Sequence, residues 1–127
     1  MKGGVRSSTR RSYLEPIRKR ANLTVITGAE VDRIELEQGV AKRVIYKKAG
    51  AIKTALTRGE VVFSAGSIGS PSVHQRSGIG SSKVLKDAGV EVIHWLPGVG
   101  ENLTEHLEVY FQYLCTQPIS INGHLNP

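Results

Sequence analysis

The residues of this chain best placed to meet a ligand gather in one stretch, Gly66 to Gly80, which reads GSIGSPSVHQRSGIG. Glycines let bare main chain approach a bound group, and amides at the start of a helix suit an anion. The hydroxyls of Ser67 and Ser70 fit a backbone loop and a helix cap better than a nucleophile, because no Ser-His-Asp arrangement is legible. His74, His94 and His124 show no metal-ligand spacing with carboxylates. His106 suits a turn ordered by ring hydrogen bonds, with a proton carrier as the alternative reading. Cys115 is the single cysteine. It excludes an intrachain disulfide and a cysteine-based zinc site, and it reads as an inert, half-buried thiol in a reducing compartment.

The elements that must position this stretch follow from its flanks. Val61–Ala65 is apolar on both faces, the pattern of a strand buried on both sides of a sheet. Ser70-Pro71 suits a helix start, with the hydroxyl as N-cap and Pro71 in the first helical position. Ser77-Gly78-Ile79-Gly80 suits its stop. A strand-turn-helix of this kind occurs in any α/β protein, so on spacing alone that reading stands beside a ligand-binding one. Further on, Ser81-Ser82 caps a short helix ending at Gly89, and Val90–Ile93 is extended. Leu96-Pro97-Gly98-Val99-Gly100 is a constrained turn. Leu107–Thr116 alternates and is aromatic-rich, which predicts a strand.

Upstream, Ser8 or Thr9 caps a helix running toward Arg20, broken near Glu15 by Pro16. Leu23–Thr27 has β composition. Three short strands follow, over Val31–Leu36, Ala41–Lys47 and Ala51–Thr57, with turns at Gln38-Gly39 and Ala49-Gly50. Strands at that spacing form a meander.

With 127 residues, 39% hydrophobic and 22% charged, the chain is one globular domain or less. No apolar run reaches membrane-spanning length, and the basic N-terminus lacks the apolar segment of a secretory signal. The net charge of +6 sits at one end. Residues 1–20 carry seven Lys or Arg against Glu15, and the remaining ten basic and ten acidic residues cancel. A solvated basic helix explains this without a ligand. The competing reading is a basic module that binds nucleic acid or a membrane surface without catalysis.

Gly66, Ser67, Ser70, Pro71, Val73, Ser77, Gly78, Ile79 and Gly80 resemble the second signature of the glucose–methanol–choline (GMC) family of FAD-dependent oxidoreductases. His74 departs from the family's aliphatic residue, and Arg76 stands where many members place Leu. Ser7–Arg10, Tyr13-Leu14, Asn22–Val25, Leu96–Leu103 and His106–Glu108 resemble the choline dehydrogenase branch. Glu105 departs from the usual Asp before the His. The resemblance covers nearly the whole chain and is that of an internal piece of a longer protein.

That resemblance implies an α/β fragment, part of a Rossmann-like FAD-binding domain with a β-meander and short helices. Residues 1–106 would be the C-terminal part of the N-terminal FAD-binding region, and 107–127 the start of a truncated substrate-binding domain. Val31 aligns with the position whose main chain holds the FAD adenine, and Ala65, Gly66 and Ser67 with main-chain neighbours of the cofactor. Glu108 aligns with a carboxylate that faces the trimethylammonium of choline, with Tyr110, Phe111 and Trp95 as aromatic companions. The implied reaction oxidises a CH–OH group, choline to betaine aldehyde, by hydride transfer to flavin, with electrons passing to an acceptor other than oxygen. The dinucleotide loop and the catalytic His pair, or His and Asn, are expected outside residues 1–127. The chain alone is therefore expected to hold no catalytic residue, to lack FAD and to be inactive. A cytoplasmic site is expected, with membrane association open for the parent protein. No nucleic-acid partner is expected, and exposed sheet edges would favour self-association.

Overall fold

The computed structural model describes residues 7–117. The chain opens with a π-helical turn, Arg10–Leu14, that runs into a short α1, Glu15–Ile17. Pro16 has no N–H for a continuous ladder, and the expected break near Glu15 appears as this change of helix type. Ser8 Oγ accepts the Arg11 N–H at 3.3 Å, so the cap falls on the first of the two expected residues. The helix stops short of Arg20, and Arg10 pairs with Glu15 at 3.1 Å.

The meander forms as its turn residues dictate. β1, Ala29–Glu37, pairs antiparallel with β2, Val40–Lys48, which pairs with β3, Ala51–Leu56. Both hairpins turn through a residue pair at positive φ, Gln38-Gly39 and Ala49-Gly50, as tight hairpin turns require. The β1–β2 register slips twice, between Val31 and Arg33 and between Glu35 and Leu36. Each slip is a bulge that bends the ribbon and shifts which side chains share a face. Ile34 and Ile45 become the buried residues of the sheet.

Three expected strands do not form. Leu23–Thr27 has no regular secondary structure and is mostly exposed, as are Val61–Ala65 and Leu107–Thr116. A strand needs a neighbour for its ladder, and the described residues supply none to these segments. Val62 is 81% exposed and Leu114 fully so, although their composition suits burial. Cys115 is likewise exposed, so the half-buried thiol is corrected.

α2, Gly66–Arg76, begins four residues before Ser70. Pro71 lies inside it and has no N–H for the Ser67 carbonyl four residues back. Ser70 is no N-cap of its own helix; its Oγ instead accepts the Ala65 N–H at 3.1 Å, tying down the entry. The predicted stop holds, with Ser77 as C-cap and Gly78 at φ +78°. β4, Ile79–Gly80, pairs in parallel with β5, His94–Trp95, around α3, Ser82–Asp87.

The core is Ile34, Ile45, Val73 and Leu85, joining the meander, α2 and α3. One buried hydroxyl crosses it. Ser77 Oγ accepts the Ile34 N–H at 2.8 Å and donates to the Val73 carbonyl at 2.6 Å. A short-range cap thereby fixes the end of α2 against a strand 43 residues away. Among the described residues no helix is long and apolar enough to cross a membrane.

Candidate functional site: a groove along α2

The entry to α2 carries its main chain in the open. Ala65, Gly66 and Ser67 are exposed, and Gly66 sits at φ +82°, where a side chain would be strained. A Cβ built on Gly66 would meet nothing within 4 Å, so the space beside this turn is free. The first amides of a helix have no intrahelical acceptor, and those of Gly66, Ser67 and Ile68 begin this one.

The start of α2 faces a groove of about 690 Å³, walled by Ser67, Ile68, Pro71 and His74 on one side and by residues 99–104 on the other. That volume lies within the roughly 300–1,000 Å³ of small-molecule sites. The loop wall is held by Gln75, whose Nε2 donates to the Val99 carbonyl at 3.3 Å. Gly100 makes the approach possible: at φ +85°, a Cβ there would lie 2.9 Å from Gln75 Nε2. The α2 wall is held by its own polar residues. Ser72 Oγ donates to the Ile68 carbonyl at 2.8 Å. His74 Nδ1 lies 2.8 Å from the Ser70 carbonyl, an acceptor only, so Nδ1 is the donor of that bond. Phe63 stacks on the His74 ring, centroids 4.2 Å apart. The aromatic contact explains how a polar ring sits where an aliphatic side chain was expected.

The other expected site residues lie elsewhere. Val31, 38% exposed, lines a separate cavity of about 410 Å³ with Asp32, Tyr46, Lys47, Ile52 and Arg76. Glu108 lines an open hollow with Glu105, His106 and Leu107. Its carboxylate accepts a hydrogen bond from the Tyr110 hydroxyl. That bond raises the Tyr110 pKa above the ordinary tyrosine value, with a smaller contribution from desolvation. Phe111 and Trp95 do not line the hollow, and both are largely exposed. The described residues therefore bring Ser67 to the groove and leave Val31 and Glu108 in their own surroundings. Nothing in them forms a cluster able to hold a metal ion.

Two walls of the groove escaped the sequence reading. Neither His74 nor the Val99-Gly100 turn stood out in the sequence as a wall of a ligand groove. The available signal was Gly100 itself, since two glycines around one valine mark a loop pressed against something.

The GMC oxidoreductase family model matches residues 1–108. The chain belongs to the GMC oxidoreductase family. Among curated relatives, it is 50% identical over 126 residues to an oxygen-dependent choline dehydrogenase of Vibrio vulnificus, covering 99% of this chain and 22% of that protein. An enzyme of the same name from Photobacterium profundum is 48% identical over 122 residues, covering 96% of this chain and 22% of that protein. The chain thus spans about a fifth of the length of the curated relatives it matches. Among solved structures, an FAD-dependent oxidoreductase of Chaetomium thermophilum superposes with a TM-score of 0.70 at 30% identity. That match covers 73% of this chain and 16% of the other. The α/β fold is accordingly that of a fragment of an FAD-binding domain, built from the meander and short helices expected.

Proposed function

We propose that these residues form the part of an FAD-dependent alcohol oxidoreductase that lies along the cofactor, in a protein that oxidises choline. The observation that carries this is the groove lined by Ser67 and Ile68 at the start of α2, next in sequence to the exposed main chain of Gly66 with open space around it. The chemistry of the lining fits a dinucleotide: helix-start amides for an anionic or carbonyl group, and Ser and Thr hydroxyls for ribityl or ribose oxygens. FAD, when bound, supplies the acceptor for a hydride from the alcohol carbon. Ser67 and its neighbours bind and orient it through main-chain groups, and the 99–104 loop narrows the groove against water.

Val31 presents its main chain to the adenine in this reading, and residues 1–106 belong to the FAD-binding region. The family match over residues 1–108 supports a boundary there. Residues 107–127 open the substrate-binding domain, where Glu108 holds the trimethylammonium group. A fixed cation without an N–H is recognised by charge and aromatic faces, and the carboxylate provides the charge. The relatives' printed name supports choline. It also names oxygen, against the expected non-oxygen acceptor, and oxygen uptake by the whole protein decides between the two.

The whole protein, purified, is expected to carry FAD and to oxidise choline. Glu108→Gln should raise the choline KM well over tenfold with a smaller effect on kcat, since an ion pair to a desolvated cation exceeds about 1.4 kcal/mol. An unchanged KM rejects Glu108, and a protein without flavin rejects the cofactor reading. Residues 1–127 alone should show no flavin-dependent choline turnover, because the expected proton acceptor lies outside them.

A further inference from the structure

Arg76 is the last residue of α2, and its side chain crosses to β1. Its Nε–H donates to the Asp32 carbonyl at 2.6 Å and its Nη2 to the Val31 carbonyl at 3.1 Å. Nε also lies 3.7 Å from Asp32 Oδ1. These two successive carbonyls sit where the β1–β2 register slips between Val31 and Arg33, so Asp32 is the extra residue of a bulge. A bulge leaves main-chain groups off the ladder. A planar guanidinium carries the fork of donors that satisfies two of them together, which Leu cannot do at all and Lys can do only as a point charge. The same side chain forms a wall of the 410 Å³ cavity, beside Val31, Tyr46 and Ile52.

We propose that Arg76 is the positioning residue for the adenosine half of FAD, clamping the bulged main chain of Val31 and Asp32 in the shape that receives the adenine. The proposal rests on the cofactor reading above. The Val31 carbonyl has two lone pairs, so the guanidinium occupies one and leaves the other for a donor such as the adenine amino group. The Ser67 groove, at the other end of α2, does not include Arg76 in its lining. Loosening the clamp therefore weakens the adenosine end and leaves the flavin environment as it was.

The test uses apoprotein of the whole protein, titrated calorimetrically with FAD and separately with AMP. Arg76→Met should weaken both by about tenfold, the loss expected of charge-assisted hydrogen bonds. The absorption spectrum of bound flavin at saturating FAD should stay unchanged. Arg76→Lys should recover part of both affinities. Unchanged FAD and AMP affinities in Arg76→Met overturn the proposal, as does a shifted flavin spectrum, which would mean a general structural role. If Arg76→Met does not fold, Arg76→Lys carries the test. FAD and AMP affinities that fall together by a few-fold with a fixed spectrum support the clamp, and unchanged affinities refute it. Wild-type protein that binds no FAD removes the cofactor reading itself, a result separable from either outcome for Arg76.

Discussion

Replacing Ser77 by Ala removes one oxygen and isolates one amide. Ser77 is 3% exposed, and its hydroxyl serves two partners. The Val73 carbonyl does not become an orphan, because the Ser77 N–H also reaches it at 3.0 Å. The Ile34 N–H is different: its bond to Oγ spans α2 and β1, and Ile34 is only 5% exposed. Losing the partner of a buried donor costs about 1–3 kcal/mol. A small cavity in place of the oxygen adds to this. The cost should appear locally as hydrogen exchange at the Ile34 amide faster by roughly 5- to 150-fold, since each 1.4 kcal/mol is about tenfold. The Thr57 amide, bonded to the Lys42 carbonyl at 2.9 Å across β2 and β3, is the internal control. Exchange at Thr57 should hold steady. An Ile34 amide as protected as in the parent, or equal acceleration at both positions, would refute the staple.

Two glycines at nearly the same φ separate backbone strain from crowding. Gly50→Ala, with open space around it at φ +80°, should cost about 1 kcal/mol in thermal or urea unfolding of the chain. Gly78→Ala, at φ +78°, would put Cβ 2.6 Å from the Glu91 carbonyl oxygen and 2.8 Å from Ile93 Cγ1, so the total should reach about 2–5 kcal/mol. Similar losses for both would refute the crowding argument. The Tyr110 phenol should titrate above the ordinary value of about 10 by site-resolved NMR, and Glu108→Ala should lower it toward that value. Because the folded pKa is raised, any stabilisation from this pair is full below the unfolded tyrosine pKa and is lost as pH rises through the folded one.

The meander was legible because its information is local. Gln38-Gly39 and Ala49-Gly50 turn the chain by their own backbone preferences, and the strands between them alternate. The helix after Phe63 was legible in existence and in its stop at Ser77-Gly78, since a left-handed glycine is a local requirement. Its start was not. Ser70-Pro71 is a common helix opening, yet Ser70 Oγ is taken by the Ala65 amide and the helix begins at Gly66. Val61–Ala65 and Leu107–Thr116 failed as strands for a different reason: their side-chain composition is right, but a ladder needs a partner that no local pattern provides.

The same division holds at the site. Residue types alone determined the glycine framework and the family to which the chain belongs, because each depends on which side chains are absent or small. Tertiary structure decided that Gln75 and Gly100 close the groove, that His74 stacks under Phe63, and that Arg76 grips the carbonyls of Val31 and Asp32. Those contacts join residues 11 to 45 positions apart, or depend on bulges that shift a strand's faces. Periodicity carries no record of such distances, since a guanidinium at a helix end looks the same in sequence whether it points to water or to a neighbouring strand.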